Sequence, residues 1–294
     1  LSDEVKRTFS IVSDLKKKLR CFKPDCVHIN SACAKFGLIR DAICVYVAKR
    51  HRAKVVLHFR CTVQDKLGKG ALRNKLFRRM VTKADLVLTL NKLSENFVKD
   101  NVSTSHVTTV PNFIDVKENF EPLDISDSVK NIAYVGHVQF DKGAREIFKA
   151  AQHFPSKQFK LVGPVSEEVA VLNRPDNVEL LGRVEHSEVD GIMKASDVFL
   201  FPSYTEGFSN ALVEAMSCGL PVIATDVGAN ADMIEKYGGF LVPAKSFEEI
   251  VTAISNIEDK SVRCKMSLWN QKKVYDNYRV ETVMKQLLAL YTQI

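Results

Sequence analysis

The sequence has no hydrophobic run long enough to cross a bilayer and no cysteine pattern typical of metal binding. Its apolar segments stay well below the roughly 20 residues that a transmembrane helix requires. The seven cysteines form no C-x-x-C pair and follow no metal-ligand spacing. Because most of them stand in apolar surroundings, we expect buried, reduced thiols, which are typical of a cytoplasmic protein.

The chain also lacks three common nucleotide-binding signatures. It has no G-x-G-x-x-G, which disfavours a nicotinamide dehydrogenase, and no P-loop. It has no Asp-x-Asp pair that could hold a metal–diphosphate complex. A diphosphate bound by this chain would therefore be neutralised by lysine, arginine and helix N-termini, and we expect neither a metal nor a cofactor.

Length and composition indicate a globular protein with room for two domains. The 294 residues are 46% hydrophobic and 26% charged. The charge is unevenly distributed, because residues 1–125 contain 24 Lys and Arg against 13 Asp and Glu, a net charge of +11. Residues 126–294 contain 18 against 22, a net charge of −4. The basic part is a candidate for contact with anionic partners.

Short apolar segments alternate with helical patterns along the chain. Residues 26–30, 54–59 and 131–136 are predicted strands, and amphipathic or mixed helical segments separate such strands. This alternation is typical of α/β domains built on parallel sheets. The polar segment 118–128 contains a proline and predicts an interdomain linker.

One stretch combines a buried strand, a small-residue loop and a helix start. The apolar run 198–201 predicts a strand that Pro202 ends, and Ser209 or Asn210 can cap the helix that follows. A helix N-terminus in this position presents free backbone N–H groups to a phosphate. Glu206 and Glu214 flank it eight positions apart, so a diphosphate there could have a carboxylate near each end. Carboxylates accept hydrogen bonds from the hydroxyls of a sugar and of a ribose.

These residues carry a family resemblance. The run E-G-F-S-N-A-L-V-E from Glu206, with P-S before it and A-M-S-C-G-L-P-V-I-A-T after it, resembles the Glu-x7-Glu motif of retaining GT-B glycosyltransferases, family 4 (glycosyl transferases group 1) in particular. The resemblance implies two Rossmann-like, doubly wound domains facing a cleft. It also implies transfer of a sugar, with retention, from a UDP- or GDP-linked donor to a glycan or lipid-linked acceptor. In the family, the residue matching Glu206 contacts the donor sugar and the one matching Glu214 contacts the ribose.

Further site residues follow from the same resemblance. Residues 136–143 resemble the family's G-R-x-x-x-x-K-G diphosphate loop, where Lys142 matches the lysine and His137 replaces the arginine with a weaker, pH-dependent cation. His58 matches a family histidine beside the donor sugar, although a satisfied core histidine is the alternative. The predicted catalytic residues are Glu206, His58 and Lys142. The predicted donor-binding residues are Glu214, Lys142, His137, Gly136, Gly207, Phe208, Ser209, Asn210, Arg183 and Val184, of which Arg183 and Val184 would lie against the base.

The N-terminal part departs from the family pattern. The segments P-D-C-V-H-I-N-S-A and K-V-V-L-H-F resemble two later strands of the family's first domain, and no glycine-rich strand–loop segment precedes them. We therefore expect an incomplete N-terminal domain over 1–122, a nucleotide-sugar-binding domain over 123–275 and a C-terminal helix over 276–294 that returns to the first domain. An inactive nucleotide-sugar-binding remnant, or a GT-B epimerase or phosphorylase, remains an alternative.

Residues 65–83 are the most basic stretch of the chain. Lysines and arginines alternate there with apolar residues at helical spacing, namely Leu67, Ala71, Leu72, Leu76, Met80 and Val81. One interpretation is a solvated helix with a charged face. The other is a patch that contacts the anionic inner face of the cytoplasmic membrane. A nucleic-acid partner is disfavoured, because the segment lacks the series of aromatic residues between the charges on which bases could stack.

Overall fold

A computed structural model of the chain describes residues 2–68, 70–103, 106–116 and 124–294. The chain forms two compact units, one of residues 1–111 with 284–294 and one of residues 112–283. Most of the predicted linker, residues 118–123, and the predicted domain boundary at residue 122 lie outside the described residues. The second boundary between the units falls inside the last helix, after Val283.

The first unit is a parallel α/β layer structure. Its four strands follow one another in the sheet in the order β1-β2-β3-β4, and all pairs are parallel. The carboxyl ends of the strands therefore meet at one edge of the sheet. The strands are β1 (Cys26–Ser31), β2 (Lys54–Phe59), β3 (Leu86–Thr89) and β4 (Val107–Thr109). The helices are α1 (Ser2–Phe22), α2 (Lys35–Arg50), α3 (Val63–Leu67), α4 (Ala71–Lys83) and α5 (Lys92–Asn101).

Alternate residues of β2 face opposite sides of this sheet. Val55, Leu57 and Phe59 are fully buried against the helices, and α2 packs between α1 and α4 on that side. The basic stretch 65–83 is not one continuous helix, because Gly68 has a positive φ of 65° and separates α3 from α4. Residue 69 lies outside the described residues. Leu72, which the pattern placed among the apolar residues of the helix, is 79% exposed.

The second unit is a doubly wound parallel sheet of six strands. The strand order is β10-β9-β8-β5-β6-β7, so the direction of winding reverses between the neighbouring strands β5 and β8. The strands are β5 (Asn131–Val135), β6 (Gln158–Val162), β7 (Val178–Gly182), β8 (Val198–Phe201), β9 (Val222–Thr225) and β10 (Gly239–Val242). The helices are α6 (Ala144–His153), α7 (Glu167–Ala170), α8 (His186–Lys194), α9 (Asn210–Ser217), α10 (Asn230–Ile234), α11 (Phe247–Asn256) and α12 (Lys260–Asn277), and α13 (Val280–Tyr291) ends the chain.

The central strands explain the apolar runs of the sequence. Every residue of β8 and β9 is buried, as expected of parallel strands covered by helices on both faces. The predicted α/β class with two parallel-sheet units is therefore confirmed. All seven cysteines are free thiols, and four of them are buried: Cys33, Cys44, Cys61 and Cys218. Among the described helices, none combines the length and apolar character that crossing a bilayer requires.

Candidate functional site

The strand–loop–helix segment around Glu206 has the predicted local structure. β8 ends at Phe201, and α9 begins at Asn210. Of the two candidate caps, Ser209 takes the role, since its hydroxyl oxygen accepts a hydrogen bond of 3.2 Å from the Leu212 N–H. The helix N-terminus, with its partial positive charge, thus lies at the carboxyl edge of the sheet.

A second loop, which follows β5, is held against the first by a glycine. Gly143 has a φ of 82°, and a Cβ at this position would lie 2.3 Å from the carbonyl oxygen of Pro202. Only glycine allows this approach without a shift of the backbone. The Tyr204 N–H also donates a 2.8 Å hydrogen bond to the Asp141 carbonyl. The loop after β5 is therefore fixed directly beside the end of β8.

This packing brings Lys142 and Glu206 into contact. The Lys142 ammonium donates to Glu206 Oε1 at 2.6 Å, and both side chains are largely shielded from solvent. Lys142 follows β5 and Glu206 follows β8, so the ion pair spans the place where the winding of the sheet reverses. Ligands of doubly wound sheets bind in the crevice at this place, outside the carboxyl ends of the strands. Both charges are thus in position for a ligand with anionic and hydroxyl groups.

A third loop, after β9, also meets Glu206. Gly228 has a φ of 58°, and a Cβ there would lie 2.3 Å from the Glu206 carbonyl oxygen. The Asn230 amide donates to the Thr225 carbonyl at 2.9 Å and closes this loop onto its own strand. The loop that carries Glu206 is therefore packed between the loops after β5 and β9, although the three are far apart in sequence.

Glu214 lies in a cavity of about 570 Å³ beside α9. Burial raises the pKa of the Glu214 carboxyl, while the nearby His186 acts in the opposite direction. Asn210 lines the same cavity, and its side-chain oxygen accepts a 2.9 Å hydrogen bond from the Asn112 amide. Sequence reasoning missed both contacts, because no motif marks His186 and because the resemblance assigns Asn112 only to a segment, 111–115, that closes the first domain.

The other predicted donor-binding residues are spread along the same edge of the sheet. His137 is exposed, and its carbonyl accepts a 2.7 Å hydrogen bond from the Tyr134 hydroxyl after Gly136 turns the chain with a φ of 152°. The ring of Phe208, next to Gly207, meets the Tyr278 ring edge-on at 5.7 Å. Exposed Arg183 and half-buried Val184 follow β7. The roles of these residues stay predictions.

His58 belongs to the first unit and is 4% exposed. Its Nε2 lies 3.3 Å from an Arg60 guanidinium nitrogen, and its ring centroid is 5.3 Å from that of His28. Burial, then Arg60 and then His28 lower the pKa of His58 to about 3, so its imidazole is neutral near pH 7. The His28 ring in turn contacts the Tyr291 hydroxyl. This environment fits a satisfied core histidine as well as a site residue.

Two protein-family models match the chain. The model described as glycosyl transferases group 1 covers residues 115–273, and the one described as glycosyltransferase family 4 covers residues 1–118.

Individual proteins of known name and structure are similar over most of the chain. N-acetyl-alpha-D-glucosaminyl L-malate synthase of Bacillus anthracis is 26% identical, with 92% of this chain and 75% of the relative covered. The capsular polysaccharide biosynthesis glycosyltransferase CapM of Staphylococcus aureus is 25% identical, with 98% and 83% covered. The crystal structure of Anabaena Alr3699/HepE in complex with UDP superposes with a TM-score of 0.81 at 18% identity, covering 97% of this chain and 82% of that one.

Proposed function

The chain belongs to the glycosyl transferases group 1 family and is a GT-B glycosyltransferase, and we propose that it moves a sugar from a UDP-linked donor to a glycan or lipid-linked acceptor, with retention and without a metal. The observation that carries this proposal is the Lys142–Glu206 ion pair of 2.6 Å at the reversal point of the second sheet. It joins a cation suited to a diphosphate and a carboxylate suited to sugar hydroxyls at the ligand position of this fold.

The diphosphate would lie between Lys142 and the N-terminus of α9. A lysine and the free N–H groups of a first helical turn are both donors to anionic oxygens, and Ser209 fixes the start of this helix. During transfer the bond between the anomeric carbon and the β-phosphate oxygen breaks, and negative charge grows on the departing UDP. Lys142 and the α9 N–H groups would stabilise that charge. The acceptor hydroxyl forms the new bond and gives up its proton to solvent or to the departing phosphate.

The sugar and the nucleoside would occupy opposite sides of the diphosphate. Glu206, on a loop held by its two neighbours, would accept hydrogen bonds from the sugar hydroxyls and so place the anomeric carbon. Glu214 would accept them from the ribose. The cavity beside Glu214 is large enough for part of a nucleoside, at about 570 Å³.

Uridine is the base that the solved structures favour. Alr3699/HepE has been solved with UDP and with UDP-glucose, and both structures cover at least 96% of this chain. The proposal of metal independence rests on the charge of Lys142 and the dipole of α9.

A binding and turnover experiment tests the proposal. UDP, GDP and ADP, and their glucose and N-acetylglucosamine conjugates, are titrated by calorimetry in EDTA and again in magnesium. We expect binding of the UDP compounds in both buffers. The products of turnover with a glycan acceptor are then examined by NMR, where an α-linked donor should give an α-linked product. Binding that requires magnesium would contradict metal independence, and an inverted product would contradict retention.

Binding without any turnover would instead favour the nucleotide-sugar-binding remnant. This second function is favoured by one observation. His137 is exposed and stands where the family pattern has arginine. A His137→Arg variant distinguishes an active transferase from a remnant that only binds. If His137 only weakens contact with the diphosphate, the arginine should tighten UDP binding and raise turnover together.

We further propose that residues 65–83 contact the anionic inner face of the cytoplasmic membrane. α4 exposes four cations toward solvent, and they are Lys75, Arg78, Arg79 and Lys83. Such a cluster is attracted to anionic lipid within about a Debye length of the surface. Sedimentation with vesicles should show binding to phosphatidylglycerol that salt weakens, and equal binding to neutral vesicles would contradict this contact.

A further inference from the structure

Helix α2 of the first unit carries apolar side chains on two opposite faces. Its inner face packs into the core, where Leu38 and Val45 are almost completely buried. The opposite face bears four large apolar side chains at spacings of three, four and three residues, which place them on one stripe of a helix. This stripe, the outer face of α2, consists of Phe36, Ile39, Ile43 and Tyr46. Their exposed fractions are 44%, 50%, 38% and 54%.

Four large apolar residues on one helix face form more than scattered surface hydrophobics. Contiguous exposed apolar patches in soluble proteins usually mark a surface that is covered by a partner. α2 has to bury its inner face to hold the sheet, but nothing about that requirement demands apolar residues at the outer positions. The outer face therefore points to a second burial, against something other than the described residues of this unit.

The surroundings of the outer face show what kind of partner fits. α2 packs against α4, whose exposed positions carry Lys75, Arg78 and Arg79, and α2 itself ends in Arg50. The helix that packs against α2 thus carries positive charge on its exposed positions. A second copy of the chain would bring two such surfaces together, and residues 1–125 already have a net charge of +11. Like charges facing each other oppose that association.

An anionic lipid surface can bind both the apolar stripe of α2 and the cations of α4. Its phosphates pair with the cations, and its acyl boundary accepts apolar side chains to a depth of about 5–10 Å. Aromatic residues stand at both ends of the stripe, at Phe36 and Tyr46. Tyr46 suits the interface, since its ring is apolar and its hydroxyl can remain in contact with water, and Phe36 adds apolar area.

We propose that the outer face of α2 inserts into an anionic lipid surface while the cations of α4 bind the head-group phosphates. This inference rests on the membrane contact proposed above for residues 65–83 and goes beyond it. The basic segment alone predicts adsorption through charge, which salt abolishes. Insertion of Ile39 and Ile43 adds an apolar component that salt does not remove.

The experiment compares three variants with the unchanged chain on vesicles of equal parts phosphatidylglycerol and phosphatidylcholine. Ile39→Gln/Ile43→Gln replaces the two aliphatic residues of the stripe by a good helix former at exposed positions, so folding should be preserved. Lys75→Gln/Arg78→Gln/Arg79→Gln removes the cations. Leu268→Gln, on an exposed site of α12 in the second unit, is the matched apolar control. Thermal melting verifies that each variant is folded.

We expect the isoleucine variant to bind at least about tenfold more weakly, since even partial burial of two such side chains is worth more than a factor of ten. The residual binding should disappear in high salt, whereas the control binds like the unchanged chain. In addition, Tyr46→Trp should give a fluorescence blue shift on these vesicles, relative to the unchanged chain, because the indole enters an apolar layer.

Other outcomes overturn the inference in distinguishable ways. If only the cation variant loses binding, the membrane contact of residues 65–83 stands and insertion of α2 is wrong. If the unchanged chain ignores lipid yet transfers sugar, both membrane proposals fail and the transferase function stands. A dimer in solution that Ile39→Gln/Ile43→Gln dissociates would show that a second copy covers the stripe. Net-charge effects are separated by Lys149→Gln/Lys236→Gln/Lys265→Gln, which removes three exposed cations from the second unit.

Discussion

Lys142 and Glu206 neutralise each other in this structure, and the proposed donor would change that pairing. A diphosphate offers Lys142 a more highly charged acceptor, which leaves the Glu206 carboxylate available to sugar hydroxyls. The two glutamates of the motif then serve different parts of the same ligand. Glu214 contributes to holding the nucleoside, whereas Glu206 contributes to placing the reacting carbon. Their removal should therefore affect different measured quantities.

We predict that Glu214→Gln mainly weakens UDP binding and that Glu206→Gln mainly slows transfer. A hydrogen bond to a charged group is worth about 1.5–3 kcal/mol, so each loss should amount to about 10- to 100-fold. Calorimetry with UDP and steady-state rates with the sugar donor measure the two quantities. Burial raises the pKa of Glu214, so its carboxylate takes up a proton at a higher pH than an ordinary glutamate does. As the pH is lowered, its contribution to UDP affinity should therefore be lost earlier. Equal effects on binding and rate in both variants would contradict the assigned roles.

His58 makes the stability of the first unit depend on pH. Its pKa is lowered to about 3 in the folded chain, against 6.5 in an unfolded one. Between these values the unfolded state binds the additional proton, so the stabilising effect is complete above pH 6.5 and is lost as the pH falls toward 3. Burial also lowers the pKa of His28, which adds to the same trend.

We predict that lowering the pH from 7 to 5 costs the first unit on the order of 2 kcal/mol through His58 alone. Denaturant unfolding monitored at both pH values measures this loss. A His58→Asn variant should lose most of the pH dependence, whatever its stability at pH 7. His51→Gln, an exposed histidine in the same unit, is the control and should keep the dependence. An unchanged slope in His58→Asn would show that other groups cause it.

The loops after β5, β8 and β9 together form the site, and their backbones pack closely against one another. Gly143 and Gly228 each have a positive φ and each stand where a Cβ would lie 2.3 Å from a carbonyl oxygen. A side chain at either position would push one loop away from its neighbour. Since the ion pair of Lys142 depends on the position of the loop after β5, a side chain at Gly143 should also weaken binding of the donor.

We predict that Gly143→Ala weakens UDP binding at least tenfold and lowers the stability of the second unit by about 1–3 kcal/mol, the usual cost of backbone strain and overpacking. Calorimetry and thermal melting give the two values. Gly191→Ala is the matched control, because Gly191 lies inside α8 with no heavy atom within 4 Å of an added Cβ. Alanine there should be neutral or stabilising. Normal UDP binding by Gly143→Ala would mean that the loops are not fixed by this approach.

Local signals in the sequence predicted β8 and α9 correctly and narrowed the cap to Ser209 or Asn210, because strand, cap and helix propensities act over a few neighbouring residues. The contact of Lys142 with Glu206 joins positions 64 residues apart and depends on the order of strands in the sheet. Periodicity does not contain that information, so only the family resemblance suggested that these residues share a site. The exposure of Leu72 was missed for a related reason, since Gly68 and the packing of α4 decide which apolar residues face inward.

Charge and site residues divide between the two units in a consistent way. The basic residues are concentrated in 1–125, and the residues proposed for UDP all lie within 112–283. A part of the molecule suited to an anionic surface is thus separate in sequence from the part suited to the nucleotide. The two kinds of binding can consequently be measured independently.

Hydrogen exchange tests this division directly. We predict that saturating UDP slows amide exchange in the loops 136–143 and 202–210 and leaves β1 to β4 of the first unit unchanged. Binding to the folded state reduces local opening in proportion to ligand saturation, so the protection should follow the UDP concentration with the dissociation constant found by calorimetry. At the UDP concentration that half-saturates the unchanged chain, Lys142→Met should strongly reduce the protection in both loops, because the diphosphate loses its cation, while Leu268→Gln should leave it intact. Protection that appears equally in both units, or that is unchanged in Lys142→Met at this UDP concentration, would contradict the assigned site.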